Sequence, residues 1–425
     1  MTHYVIIGNS VASIAAVEAI RDQDKDGTIT IISDEPHLAY SRPLISCLLA
    51  GKVSEESMLY RDRNFYKINK VELLSGKKAI ALDPKKKLVT LADKKKISFD
   101  KLLIATGGTP IFPKVRGKNL EGIFTLTKWG DVKRIKKYID KSKVKEVVVV
   151  GGGLIGLKTV EGLMELKIRV SIIELADRIL SATFDKKASN LIESRLKKMG
   201  CKVITENTVA KIRGKKKVAG VILKDGVKLD CDMVIFAIGV APNVKITKGT
   251  GIKVNMGILV DRRMQTNIPD IYAAGDVVEG PDLIAGGTRP IAIWPTAYKQ
   301  GSIAGSNMGG VLKEYVGSFA MNSIELCDLP TISVGLTDPK EEGYEVLDYY
   351  DEENFVYKKV VLKGNTIVGA IFVNDIDRAG IYTGLITDKV DVSGFKEYLL
   401  KEDFGLLSLP KEYRKHLVSG PGIEV

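Results

Sequence analysis

Four consecutive valines run into a glycine-rich hexapeptide, Gly151-Gly152-Gly153-Leu154-Ile155-Gly156, and no other feature restricts the folding of this chain as much. Residues Glu146 to Val150 read as a buried strand, 154–166 as a helix with apolar positions at helical spacing, and Arg169 to Ile173 as a returning strand that leads to Glu174. Strand, glycine turn, helix and strand in that order make a βαβ unit of the dinucleotide-binding kind. Gly151 permits the tight turn, Gly153 lets the backbone approach a pyrophosphate at the helix N-terminus, and Gly156 lets the helix pack closely on the strand. Leu154 and Ile155 start the helix over that loop. Glu174 stands where an acid binds a ribose diol; its charge repels a 2′-phosphate and favours NADH over NADPH, while the nearby Arg178 argues the other way.

The pattern occurs twice. Residues 4–7 form an apolar strand, 11–22 a helix and 28–32 a β-branched strand, with the loop Gly8-Asn9-Ser10-Val11-Ala12-Ser13 between the first two. Serine holds the second and third glycine positions and is small enough to spare the backbone approach. The returning strand ends at Ser33, so Asp34 or Glu35 is the acid that could reach a ribose. A charged meander follows near 71–75, 78–83, 87–92 and 96–99, then the strand Leu102 to Ala105. Further strands read near 202–204, 209–213, 218–223 and 233–237, and the apolar strand Ile271 to Ala274 runs into Gly275-Asp276. From about residue 315 the text changes to alternating strands (332–336, 345–350, 355–362, 366–373) and a helical tail, which marks a separate C-terminal domain. At 425 residues the chain exceeds one core, and two or three domains are predicted.

Several separate motifs agree with the paired loops: Ala105-Thr106-Gly107-Gly108 after a strand, Ala237-Ile238-Gly239-Val240-Ala241-Pro242-Asn243, and Tyr272-Ala273-Ala274-Gly275-Asp276. In this order, over about residues 4 to 305, the chain resembles the pyridine nucleotide-disulphide oxidoreductases, and more closely their rubredoxin-reductase, nitrite-reductase-flavoprotein and NADH-oxidase branch. The resemblance implies FAD at the first loop and NAD(H) at the second. It implies an α/β fold of two Rossmann-like domains, an FAD domain (1–113 and 246–314) split by an inserted NAD domain (114–245), with a smaller α+β C-terminal dimerisation or interface domain (315–425). Position by position, Gly8, Ser10 and Ser13 match the FAD pyrophosphate loop, and Ala105, Thr106 and Gly107 the segment that closes over that cofactor. Gly275 and Asp276 match the turn and acid that bind the ribityl hydroxyls or pyrophosphate, and Ile238 and Gly239 belong to the NAD side. Arg42 and Pro43 resemble a pair flanking the flavin, and Trp294, Pro295 and Ala297 resemble residues reaching its pyrimidine edge from the start of a helix.

Two departures from that pattern bear on catalysis. Where cysteine-using members carry their redox cysteine, this chain has Pro43, and Cys47 follows one helical turn later. Cys47 is either a flavin-facing thiol or a small buried hydrophobe. Lys158 stands where many members carry a glutamate close to the nicotinamide, so it either tunes hydride transfer or is a surface lysine. The C-terminal region lacks the histidine–glutamate pair of dithiol reductases; its only histidine, His416, is outside the proper motif.

Composition limits the partners. The formal charge of +12 is concentrated in runs such as Lys85-Lys86-Lys87, Lys94-Lys95-Lys96 and Lys215-Lys216-Lys217, which read as solvated hairpin tips within a field that attracts acidic partners. No aromatics interleave with the runs, which argues against nucleic acid. Four scattered cysteines, without a C-x-x-C pair, argue against a metal centre or disulphide framework. The absence of a basic leader or an apolar run of membrane length makes the cytoplasm the expected compartment. The leading expectation is NADH reducing FAD, which passes single electrons to or from an acidic carrier (ferredoxin or rubredoxin type) or a partner iron–sulphur or metalloenzyme subunit, the chain being a homodimer or part of a complex. The alternatives are an NADH oxidase, peroxidase, or CoA or sulphur-compound disulphide reductase using Cys47, and a redox-sensing scaffold without turnover.

Overall fold

The computed structural model describes residues 1–410, which form two compact units: residues 1–175 with 201–318, and residues 176–200 with those from 319 onward. His416 lies outside the described residues.

The first unit holds two parallel five-stranded sheets built on one plan. In the first, the order is Ile271–Ala273, Lys101–Ile104, His3–Ile7, Thr28–Ile32, Val71–Leu74. In the second, it is Lys202–Ile204, Arg169–Ile173, Glu146–Val150, Met233–Phe236, Ile123–Thr125. In each sheet the chain leaves the central strand through a helix (Val11–Gln23 or Leu154–Glu165) to the neighbour on one side, and the neighbour on the other side comes from far along the sequence. The order therefore reverses at the central strand, and a crevice opens beyond its C-terminal end, where such sheets bind ligands. Val5, Ile6, Val148 and Val149 are fully buried, as strands covered on both faces require.

Close helix packing closes the first sheet. Helix Trp294–Met308 lies on helix Val11–Gln23 through Gly301 and Gly305, where a Cβ would stand 2.1 Å from the Ala12 carbonyl oxygen and 2.4 Å from that of Ala16. Of the charged meander read from the sequence, Val71–Leu74 instead joins the parallel sheet as its edge strand, and only Ala79–Asp83, Leu88–Leu91 and Lys96–Ser98 form a separate antiparallel sheet. Its lysine runs occupy the turns apart from Lys96, which begins the last strand, and all but Lys87 are exposed; Lys87 pairs with Asp270 at 2.7 Å. Lys215 to Lys217 likewise form an exposed turn between strands Val209–Gly214 and Val218–Leu223. Helix Trp129–Ser142 and strand Ile123–Thr125 carry no fingerprint and are additions to the sequence reading.

The second unit is an antiparallel sheet in the order Met321–Leu326, Leu329–Gly335, Thr366–Val373, Val356–Lys363, Tyr344–Asp351, with helix Ala379–Thr387. Residues 176–200 belong with this sheet by contact, unlike the three-part division read from the sequence, which puts them in the NAD domain. The reason is a buried acid. One Asp185 oxygen caps helix Lys186–Lys198 at Ala188 N (3.1 Å), and the other accepts from the Tyr357 hydroxyl (2.6 Å) and the Lys359 ammonium (2.9 Å). Thr337 adds a bond to the Thr183 carbonyl at 3.0 Å. Among the described residues no helix is long and apolar enough to cross a membrane.

Candidate functional site

Both crevices begin with a glycine that nothing larger could replace. Gly8 (φ +119°) and Gly151 (φ +111°) donate their amides to Ile32 and Ile173, each at 2.8 Å. A Cβ would stand 2.0 Å from the Ala105 oxygen at Gly8 and 2.4 Å from the Ala237 oxygen at Gly151. The loops then diverge. At Gly156 a Cβ would fall 1.9 Å from the Gly151 oxygen, so the helix rests directly on its own loop. The equivalent Ser13 is buried, and its hydroxyl donates to the Gly8 oxygen at 2.8 Å, restoring by hydrogen bond the closure that glycine achieves by contact.

Around the first loop a polar network gathers on Arg42. Its guanidinium donates to Glu35 Oε1 (2.6 Å), to the Thr127 carbonyl (3.1 Å) and, at 3.4 Å, to Ser10 Oγ. Tyr40 donates to the other Glu35 oxygen at 2.8 Å and accepts from Trp129 N at 3.0 Å. Of the two candidate acids, Glu35 therefore lies beside the Ser10 loop, whereas Asp34 is half out in solvent and pairs with Lys128 at 3.1 Å. Burial disfavours the Arg42 charge, yet Tyr40, Glu35 and Asp276 together hold its pKa above the ordinary value. Burial pushes the Asp276 carboxyl up against the pull of Arg42, and Tyr40 is raised chiefly by burial. Arg42 sits deep but keeps 34% of its side-chain surface open.

The rest of the predicted set converges on the same loop. Gly275 packs against Ala12 and Ala297, and its amide donates to buried Gln300 at 2.9 Å. Trp294 and Pro295 open helix Trp294–Met308, with the Trp294 ring edge-on to Tyr60 at 5.0 Å. Thr106 Oγ donates to the Asn243 oxygen and Asn243 N to the Gly107 oxygen, both at 2.8 Å. These bonds continue a ribbon, Gly108–Pro110 on Val240–Pro242, that laces the two halves of the first unit together. The sequence reading missed Asn9, whose amide donates to the His37 carbonyl (3.2 Å) and accepts from the Tyr66 hydroxyl (2.8 Å), and the His37–Trp129 stack at 4.5 Å. Burial and then Lys133 lower the His37 pKa. A polar residue inside a glycine loop was the only available signal.

At the second loop, Gly153 caps helix Leu154–Glu165 without a side chain, and a Cβ there would meet nothing within 4 Å. The helix N-terminus thus faces open space, an anion site by geometry and dipole. Glu174 accepts from Gly152 N at 2.5 Å, turned onto the loop it serves. Leu154 is half-buried, and Ile155, Ile238 and Gly239 border the same opening. Lys158 is ion-paired with Glu161 one turn along the helix and half-buried, so it is not a free surface lysine.

The thiols and Pro43 are dispersed. Pro43 is exposed in the turn Arg42–Leu44, next to the Arg42 network. Cys47 is half-buried on helix Ile45–Ala50, which packs on helix Leu154–Glu165 where a Gly162 Cβ would lie 3.1 Å from the Ser46 oxygen. All four cysteines are free, and burial pushes the Cys201 and Cys231 thiols up to about 12. Among the described residues no group of three or more histidines, cysteines or acids could hold a metal ion.

The first crevice fits FAD: an uncapped helix start for a pyrophosphate, a deep cation with open surface, and two partly buried acids for hydroxyls. Two such crevices laced by one ribbon define a two-dinucleotide oxidoreductase. The chain belongs to the pyridine nucleotide-disulphide oxidoreductase family, whose sequence model matches residues 2–301, and the model of the rubredoxin NAD+ reductase C-terminal domain matches residues 321–390. It is an FAD-dependent NAD(P)H oxidoreductase that binds FAD and NAD(H). The chain is similar to the nitrite reductase [NAD(P)H] of Bacillus subtilis, at 33% identity over 92% of this chain and 48% of the relative. It thus spans about half the length of that relative. It is also similar to the epsilon subunit of NADH-dependent phenylglyoxylate dehydrogenase of Aromatoleum evansii, at 32% identity over 92% of this chain and 93% of the relative. A solved structure, the ferredoxin reductase for the CYP199A2 system of Rhodopseudomonas palustris, superposes with a TM-score of 0.83 at 26% identity, covering 92% of this chain and 95% of the other.

Proposed function

We propose that the protein carries electrons between NADH and a one-electron protein carrier, of ferredoxin or rubredoxin type or a partner iron–sulphur subunit, without a cysteine relay. The observation that carries this reading is Pro43: the position that holds the redox cysteine in thiol-using relatives is an exposed proline beside the Arg42 network. Bound FAD supplies hydride acceptance from the nicotinamide and single-electron exchange with the carrier. The chain's residues bind and orient. The Gly153 loop and the helix behind it hold the NADH pyrophosphate, and Glu174 turns to the ribose diol. Arg178 is tied to Asp177 and Asp338, each at 2.9 Å, which supports the preference for NADH. Ser10, Ser13, Glu35, Arg42 and Asp276 hold FAD. Lys158, balanced by Glu161, orients the reduced nicotinamide and does not act as an acid.

The match to a rubredoxin NAD+ reductase domain, the likeness to a ferredoxin reductase and the charge of +12 support an acidic carrier. The likeness to a dehydrogenase subunit supports work inside a complex. Anaerobic NADH titration with a Cys47→Ser variant tests the relay. Two electrons taken up per FAD, and carrier turnover within about twofold of wild type, are expected. Four-electron uptake in the wild type that falls to two in the variant would instead establish the thiol-using reading, which the half-buried Cys47 favours.

A further inference from the structure

Four large apolar side chains stay open to solvent around the second loop: Ile111 (42%), Phe112 (41%), Ile155 (39%) and Ile238 (36%). Single exposed apolar residues are ordinary, but these come from three separate segments and meet in one place. A Cβ on Gly151 would lie 3.1 Å from Ile238 N, which brings Ile238 against the glycine loop. Ile111 N donates to the Gly239 carbonyl at 3.0 Å, and its Cδ1 is 3.9 Å from where a Gly239 Cβ would be. The Phe112 ring leans edge-on to Phe236, the last residue of strand Met233–Phe236, at 4.9 Å.

The sheet order assigns these residues to one half of a dinucleotide. Glu174 ends strand Arg169–Ile173, on one side of the central strand Glu146–Val150; Met233–Phe236 lies on the other side. With the pyrophosphate on the helix N-terminus between them and the adenosine ribose at Glu174, the nicotinamide riboside must run toward Met233–Phe236. There the backbone continues as Ala237, Ile238 and Gly239, and Ile111 and Phe112 stand against it. Beyond them the ribbon leads to Ala105, Thr106 and Gly107 beside the first crevice.

We propose that Ile111 and Phe112 form the wall on which the nicotinamide riboside end of NADH rests, steering it toward the flavin. This rests on the reading of the Gly153 loop as the NAD(H) site. A planar, weakly polar ring needs an apolar surface that is open before binding, and these two residues supply it outside any motif of the dinucleotide fold.

Calorimetric titration of the oxidised, FAD-loaded enzyme with NAD+ and with ADP-ribose, which lacks the nicotinamide, tests the proposal. Ile111→Ser and Phe112→Ser should each weaken NAD+ by about tenfold, on the scale of losing an apolar contact in a pocket. ADP-ribose should bind both within about twofold of wild type, and the KM for NADH should rise with kcat little changed. Phe112→Leu should recover most of the NAD+ affinity. Because Phe112 packs on Phe236, Ile111→Ser is the variant that keeps the test free of folding effects. Unchanged NAD+ affinity in both serine variants, or equal loss of NAD+ and ADP-ribose, overturns the proposal. Glu174→Ala separates it from the reading beneath it. If that variant weakens both ligands while the serine variants do not discriminate between them, the wall alone is wrong; if it weakens neither, the site reading falls and the wall with it.

Discussion

The two glycine loops are the same backbone made from different residues. Both anchor the first glycine amide on the returning strand at 2.8 Å, and both bring that glycine onto the carbonyl of a residue just after the far neighbouring strand. They differ at the third small position and in what holds the acid. The second loop uses Gly156 in direct contact and ties Glu174 to its own amide. The first uses the Ser13 hydroxyl and ties Glu35 to Arg42 and Tyr40, side chains from the following segment. A motif therefore preserves backbone geometry, and a degenerate motif is rebuilt by hydrogen bonds from outside it.

The largest effect should come from breaking contact at the second loop. Gly156→Val places carbon atoms on the Gly151 oxygen, and NADH reduction of the flavin should fall by more than about 100-fold with FAD content intact, measured by stopped-flow bleaching. Ser13→Ala at the equivalent position removes only a hydrogen bond; it should cost about 1 kcal/mol and leave FAD bound, read by thermal unfolding. Equal damage at both positions would break the comparison.

Removing the outside support of the first loop comes next. Arg42→Met takes the guanidinium from Glu35 and Asp276, leaving Glu35 only the Lys128 cation at 3.9 Å, and should weaken FAD by roughly 10- to 100-fold, from about 1.5–3 kcal/mol for a charged hydrogen-bonding group. Equilibrium dialysis of FAD checks it, with NAD+ affinity as the unaffected control.

At the second loop, Glu174→Ser removes the charge that opposes a 2′-phosphate. The ratio of kcat/KM for NADH over NADPH should fall by about tenfold, and no change would reassign the ribose acid.

The smallest effect concerns Asp276 in the FAD-free protein. Burial raises its pKa above the usual 3.8, so the folded state binds its proton more tightly than the unfolded chain does. Its stabilising contribution is full below pH 3.8 and is lost as pH rises through the folded value. Asp276→Asn should therefore raise the Tm of the apoprotein at neutral pH, with the difference closing as pH falls toward 4. A constant difference across that range would mean that burial does not act on this carboxyl.

The backbone of both loops was legible in the sequence. A glycine at Gly8 or Gly151 answers a local demand, a positive φ or a carbonyl within van der Waals contact, and residue type at one position encodes it. The five-stranded sheets follow from strands whose apolar runs announce burial. Less legible were the partners of charged side chains. The sequence left Asp34 and Glu35 equal; in the fold both come within 4 Å of Lys128, and Glu35 alone of the two pairs with Arg42, at 2.6 Å. For Lys158 the sequence left a tuning group and a surface lysine open, and only the fold sets Glu161 beside it.

By itself, then, the sequence determined two dinucleotide loops, their order and the lack of a cysteine at position 43, because each depends on a backbone requirement or a single residue's chemistry. Only the tertiary structure decided which acid joins Arg42, that residues 176–200 pack with the C-terminal sheet, and that Ile111 and Phe112 stand beside Gly239. Those outcomes join residues far apart in the chain through packing and desolvation, which no local pattern records.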